Sequence, residues 1–139
     1  MKYFKASDFD DYSKMAPRLL CALDSFRELT HAPVYLSPAP GAQWRMDGTT
    51  SQHNAQPQSR AVDIFPTCAP WDAFVAALSV PEIKGIGIYP HWRYKNLTYG
   101  MHLDVRSAID KCIWWRNKDN EYTTIHSMKL LQGLIGEMS

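Results

Sequence analysis

Polar side chains stand at alternate positions inside short apolar segments of this 139-residue chain. Asp63 is embedded in Ala61-Val62-Asp63-Ile64-Phe65, while His102, Asp104 and Arg106 alternate with Met101, Leu103 and Val105. On a strand, residues i and i+2 share a face. His102, Asp104 and Arg106 must therefore project together from one side of a sheet, with the apolar residues packed on the other. A carboxylate in the middle of a short buried strand is costly unless it is paired, hydrogen-bonded or bound to a metal. The pattern constrains the chain to a sheet with one packed face and one face that holds polar groups.

The remaining elements fit around that sheet. Met15, Leu19, Ala22, Leu23, Phe26 and Leu29 recur at helical spacing. They predict a helix over 13–29 that starts close to Pro17, since proline is tolerated only in a first turn. A short strand is expected at 34–37. Residues 38–60 carry too many Pro, Gly, Ser, Thr, Asn and Gln residues for any period, and long irregular stretches in compact domains are often functional. A strand at 61–65, a helix at 70–78 opened by Pro70 and Asp72, and a hairpin of strands 85–89 and 99–105 follow. Residues 113–115 read as one more short strand. Ile125, Met128, Leu131 and Leu134 predict a short helix within 122–134. Together these elements predict an α+β fold: one domain over 1–139, with a small antiparallel sheet flanked by helices, a core over about 3–116 and a C-terminal extension over about 117–139.

Composition narrows the function. Lys plus Arg is 15 against 14 for Asp plus Glu, a formal net charge of +1, which excludes a strongly basic nucleic-acid binder. No apolar run reaches the ~18 residues of a membrane span. Acidic residues follow Met1 within the first dozen positions, so no signal peptide is expected. The reading is a chain synthesised in the cytoplasm. Cys21, Cys68 and Cys112 are too few and too widely spaced for a disulfide framework or a zinc knuckle, and read as reduced, buried thiols.

His53 stands in the long polar loop, ten residues before Asp63. Taken singly, each of these residues has a structural reading: a hydrogen-bonded strand histidine, a surface ion pair of Asp104 with Arg106, a capping aspartate. Taken together, His53, Asp63 and His102 make a ligand set suited to zinc, whose catalytic sites keep three protein ligands and one open position. Ligand type alone also admits other divalent metals.

The order of these pieces resembles the zinc peptidases of the D-Ala-D-Ala carboxypeptidase and phage endolysin type, which share their fold with hedgehog signalling domains. That family shows S-x-H-x-x-G-x-A-x-D, then a G-[IV]-G-x-Y strand, then a strand with an H-x-D or related motif. The chain has Ser51-x-His53, Ala61-x-Asp63, Gly85-Ile86-Gly87-Ile88-Tyr89 and His102-Leu103-Asp104. The resemblance implies zinc held by His53, Asp63 and His102, with Ser51 supporting the first ligand's loop. It also implies a peptidoglycan stem peptide as substrate, whose peptide bonds are hydrolysed on the cell wall after phage or bacterial release.

The chain departs from the family in several places. Nine residues, 54–62, separate His53 from Asp63 where the family has six, and Ser59 replaces the glycine. Ala55–Gln58 reads as an insertion that bulges outward. The family's substrate-binding Arg after the first strand is missing; Arg45 is the replacement, with Arg106 and Arg60 as alternatives. The family's usual acidic general base falls on Tyr99, so Asp104, with His91 as second choice, is the candidate base. Trp44 and Trp92, in the polar loops, are candidate groove residues. Two further readings remain open: a catalytically silent module that keeps the fold and binds wall peptides, and a set of unrelated structural residues.

Overall fold

A computed structural model describes residues 1–46 and 50–138; residues 47–49 of the long loop and Ser139 lie outside the described set. Two short 3-10 turns, Ala6–Asp8 and Tyr12–Lys14, precede helix α1 (Pro17–Thr30). Strand β1 (Val34–Leu36) leads through the loop to β2 (Ala61–Pro66), helix α2 (Pro70–Ser79), β3 (Gly85–Tyr89), β4 (Gly100–Asp104), β5 (Cys112–Arg116), β6 (Tyr122–Thr124) and helix α3 (Met128–Gly136). The fold is α+β, with a six-stranded sheet in the order β1-β2-β4-β3-β5-β6.

The helix boundaries follow from local chemistry. Pro17 and Pro70 occupy the first turns of α1 and α2, where their missing N–H groups leave no intrahelical bond unmade. Helix α1 ends where His31 takes a left-handed conformation (φ 54°) and Pro33 follows. Leu19, Leu20, Ala22, Leu23 and Phe26 of α1 and Ala73, Phe74, Ala76 and Ala77 of α2 are buried against one face of the sheet, which supplies Val62, Ile64, Ile86, Ile88, Met101 and Leu103 to the same core. Leu29, expected on the buried face of α1, is instead 46% exposed, because the buried stripe steps from Phe26 to Thr30 and leaves Leu29 to one side. Among the described residues no helix is long and apolar enough to cross a membrane.

The sheet is mixed rather than antiparallel. The predicted β3–β4 hairpin is present, with Gly85 opposite Asp104 and Tyr89 opposite Gly100. After β4 the chain crosses the end of β3 and lays β5 on its far side. Because β4 runs opposite to β3, β5 then runs parallel to it, pairing Gly85 with Cys112 and Ile88 with Trp115. Consecutive strands are usually neighbours; here the 105–111 connection skips one.

The C-terminal part differs in two further ways. Tyr122–Thr124 is a strand paired with β5, and the helix starts only after Ser127, whose hydroxyl accepts from the Leu130 N–H at 3.3 Å. Ile125, Leu131 and Ile135 are buried in the core shared with α1 and α2, so this segment completes the core instead of extending beyond it. The cysteines are free, as expected, but not buried: Cys21 is exposed and Cys68 and Cys112 are half-buried. Cys21 lies on the outer face of α1, between the buried Leu20 and Ala22.

Phe26 is fully buried between α1 and the sheet. Replacing it with Ala removes its packing and leaves a cavity; a loss of about 3–5 kcal/mol is expected. The midpoint of a urea unfolding curve would measure it.

Candidate metal centre

The strand register assembles the site. One row across the sheet reads Asp63 (β2), His102 (β4), Gly87 (β3), Trp114 (β5) and Thr124 (β6). The adjoining row reads Ala61, Asp104, Gly85 and Cys112. All lie on the face opposite the helices, because their neighbours in sequence face the core. The alternation read from the sequence thus becomes a polar sheet face.

His53 reaches this face from the long loop. The Arg45 N–H donates to the His53 carbonyl (2.8 Å) and the Ala55 N–H to the Arg45 carbonyl (2.8 Å), which ties the two loop arms together. The Ser51 hydroxyl accepts from the His53 N–H at 3.2 Å, the supporting role expected of it. Gln56 and Pro57 bulge into solvent as anticipated, while Ala55 is buried. Ser59 is fully buried and its hydroxyl donates to the Gln43 carbonyl at 2.6 Å, so the position needs no glycine. The longer loop does not displace His53.

Three ligand atoms converge. His53 Nε2 lies 3.2 Å from His102 Nδ1, and both lie near Asp63 Oδ1, at 3.4 and 3.3 Å. A tetrahedral ion bound at about 2.0–2.1 Å has ligand–ligand edges of about 3.3–3.4 Å. All three residues are buried, and Asp63 Oδ1 has no hydrogen-bond partner. A buried acceptor left without a donor is costly; a cation at the centre of the triangle would satisfy it. The group could therefore bind a metal ion. Burial works against an ionised Asp63, but the two imidazoles outweigh it and hold its carboxyl below the usual range.

Asp104 has a different place from the one expected. It is fully buried, and its Oδ1 accepts from Arg106 Nε (2.8 Å) and the Arg106 N–H (3.1 Å). Its Oδ2 accepts from Arg106 Nη2 (2.7 Å) and lies 2.7 Å from His102 Nε2. Burial opposes the charge on Asp104, yet the Arg106 and His102 bonds hold its carboxyl far below the usual carboxylate range. An ionised carboxylate can only accept, so His102 Nε2 carries the hydrogen and Nδ1 turns its lone pair toward Asp63 and His53. Asp104 is thus a positioning residue, not a general base: every oxygen is engaged and none faces the open cleft. Carboxylate–histidine pairs of this kind fix the ring and strengthen the ligand.

Glycine makes room for this network. A Cβ at Gly85 would overlap the Asp104 carboxylate, and one at Gly87 would stand 2.6 Å from Trp114 Nε1 and 2.8 Å from the Tyr89 hydroxyl. The two glycines of Gly85-Ile86-Gly87 leave the sheet face bare where neighbouring side chains fold across it.

The cleft above the triangle is lined by Arg45, Tyr89, Trp92, Arg106, Trp114 and Arg116, among others. Arg45 stands where it was expected, though its Nε donates to the Gly41 carbonyl at 3.1 Å. Arg106 is there too, but clamped on Asp104. Arg60 is exposed and lines a different hollow, beside Gln56 and Pro57. His91 is exposed and lines an adjoining hollow with Ser37, Phe65 and Tyr94, away from the ligand atoms, so it is not placed as a base. Trp92 borders both hollows; Trp44 is absent from the cleft wall and stacks under Lys14 at 5.7 Å. Sequence reasoning missed Tyr89, Trp114 and Arg116. Their signal was the same alternation, at positions 112, 114 and 116 of β5 and 85, 87 and 89 of β3, read there only as packing.

Compared with protein-family models, curated proteins and solved structures, the chain matches none significantly.

Asp104→Asn keeps the size of the side chain but removes the charge that orients His102. Metal affinity is expected to fall about 10–100-fold, measured by competition with a chromogenic chelator, with circular dichroism reporting the fold. Acid should act on the same ring. Burial lowers the His102 pKa, but Asp104 and Asp63 outweigh it and the net shift is upward. The second proton goes to Nδ1, the ligand atom, so protons compete with the ion. Affinity is expected to be full above that raised pKa and to be lost as pH falls through it, starting above the ordinary value of about 6.5. Calorimetric titrations from about pH 8 to about pH 5 would trace that loss.

Proposed function

We propose that the chain is a zinc-dependent peptidase of the hedgehog and D-Ala-D-Ala-peptidase fold, hydrolysing peptide bonds in peptidoglycan stem peptides or cross-links. The observation that carries this reading is the buried triangle of His53 Nε2, Asp63 Oδ1 and His102 Nδ1 at tetrahedral edge lengths, at the floor of an open cleft. The order Ser51-x-His53, Ala61-x-Asp63, Gly85-Ile86-Gly87 and His102-x-Asp104 supports it. A wall substrate would place the activity outside the cytoplasm, after release of the protein.

Bound zinc supplies Lewis acidity and an activated nucleophile near neutral pH. His53, Asp63 and His102 hold the ion, and Asp104 keeps the His102 proton on Nε2. Tyr89 stands beside them. Its phenol accepts from Trp114 Nε1 at 3.2 Å, so its own O–H is oriented to donate. Burial pushes the phenol well above its ordinary pKa, so it stays protonated across the working range and can polarise a substrate carbonyl. Trp92 and Trp114 offer apolar walls to the peptide.

One observation favours a second reading, a module that binds wall peptides without cleaving them. Among the described residues lining the cleft, Asp63 is the sole carboxylate, and it is a ligand of the triangle. Among the described residues no acidic general base stands beside the site.

Digestion of purified peptidoglycan followed by mass spectrometry separates the two. Stem-peptide fragments that vanish with chelator, return with zinc and are absent with His102→Ala are expected from the peptidase. One zinc per chain with no fragments would replace it with the binding module. Absence of stoichiometric zinc would overturn both.

A further inference from the structure

Cations lining a pocket are informative when the protein itself leaves them unpaired. Three arginines border the cleft: Arg45, Arg106 and Arg116. Arg106 is committed to Asp104 through Nε and Nη2. Among the described residues Arg116 is paired with no anionic group. The ion pairs among the described residues join Lys2 to Glu28, His53 and His102 to Asp63, and His102 and Arg106 to Asp104; none includes Arg116. Its Nε is buried and has no hydrogen-bond partner. A buried, unpartnered N–H of a charged group carries a desolvation cost that a ligand acceptor would remove.

Aromatic rings hold this guanidinium in place. Its central carbon lies 5.3 Å from the Tyr122 ring, 5.8 Å from Tyr89 and 5.9 Å from Trp92, all within cation–π range. Rings attract a guanidinium without accepting its N–H bonds, so its hydrogen-bonding edge stays available. That planar edge matches a carboxylate, which accepts two parallel bonds. The strand register sets where the anion would sit. Arg116 is two residues beyond Trp114 on β5, and Trp114 is in the row of Asp63 and His102. The anion would lie in the same cleft as the ligand triangle, one row along β5, with Tyr89 and Trp92 also on the cleft wall.

We infer that Arg116, caged by Tyr89, Trp92 and Tyr122, is the specificity-determining residue that anchors a carboxylate of the ligand in this cleft. This rests on the proposed peptide substrate only for the ligand's class; the anion site itself stands on the unpaired guanidinium. It assigns to Arg116 the role that sequence reasoning gave to Arg45.

The test uses the full-length chain, metal-free and zinc-loaded, with Trp fluorescence as readout, since Trp92 and Trp114 line the cleft. Three probes are titrated: N-acetyl-alanine, its amide, and N-acetyl-glutamate α-amide. The first carries a terminal carboxylate, the second none, the third a side-chain carboxylate. Metal-free protein is expected to bind one of the acids at least about tenfold more tightly than the amide, about the worth of a charge-assisted pair; which acid wins identifies the source of the carboxylate. Arg116→Met should erase that preference, Arg116→Lys should keep part of it, and Arg45→Met should keep it. Acids and amide binding alike, no binding at millimolar concentration, or a preference that survives Arg116→Met but is lost in Arg45→Met would overturn the assignment. If Arg116→Met does not fold by circular dichroism, Arg116→Lys decides: a preference undiminished from wild type overturns the assignment. Failure of the peptidase reading shows separately, as a wild-type chain that binds the acid without metal yet takes up no zinc and cuts no peptidoglycan.

Discussion

The bidentate pair between Arg106 and Asp104 is the interaction on which the site depends. Asp104 is fully buried at the end of a central strand, and a lone carboxylate there would be prohibitive. Arg106 offsets that cost with two side-chain bonds, and it can do so because i and i+2 on an extended chain share a face. The second oxygen then fixes the His102 tautomer, and the tautomer turns Nδ1 toward Asp63 and His53. Gly85 belongs to the same device, since any larger residue would occupy the space of the carboxylate. Six residues, drawn from three adjacent strands and the segments beside them, are coupled through one salt bridge.

The sheet divides labour between its faces. Its inner face is uniformly apolar and packs against α1 and α2, which leaves the polar face free of structural duty. Charged groups on that face are tolerable because they pair with each other. Asp63 with two imidazoles and Asp104 with Arg106 are held ionised despite burial. Arg116 is the exception: it is half-buried, and among the described residues it has no ion pair. A cleft with three arginines and a triangle of ligand atoms offers recognition for an anion beside a position for a cation.

Local pattern made much of this visible. Alternation at 101–106 and the embedded Asp63 required a sheet with a polar face, and the sheet has one. Pro17 and Pro70 fixed two helix starts because proline's constraints are local. The pairing of His53 with Asp63 and His102 was also legible, since its members stand out as polar residues in otherwise explicable segments. What sequence reasoning misassigned were roles that depend on neighbours. Asp104 reads as a candidate base or as a surface ion pair with Arg106 until it is seen buried, with both oxygens engaged by Arg106 and His102. His91 reads as a loop histidine near the site until the hairpin loop carries it to the other side of Trp92. Thr124 belongs to a strand although its segment has helical spacing, because β5 offers an edge and pairing outweighs weak local preference.

The sequence by itself determined the class of fold and the polar face, because those follow from periodicity and from the cost of burying charge, and its motif spacing pointed to His53, Asp63 and His102 as the three side chains that could hold a metal. Tertiary structure alone decided the parallel placement of β5. A connection of seven residues, 105–111, is compatible with either side of β3, and only the packed whole selects one. That choice brings Trp114 and Arg116 to the wall of the cleft that also holds His53, Asp63 and His102. Distances between side chains far apart in sequence are set by which strands become neighbours, and no local pattern carries that information.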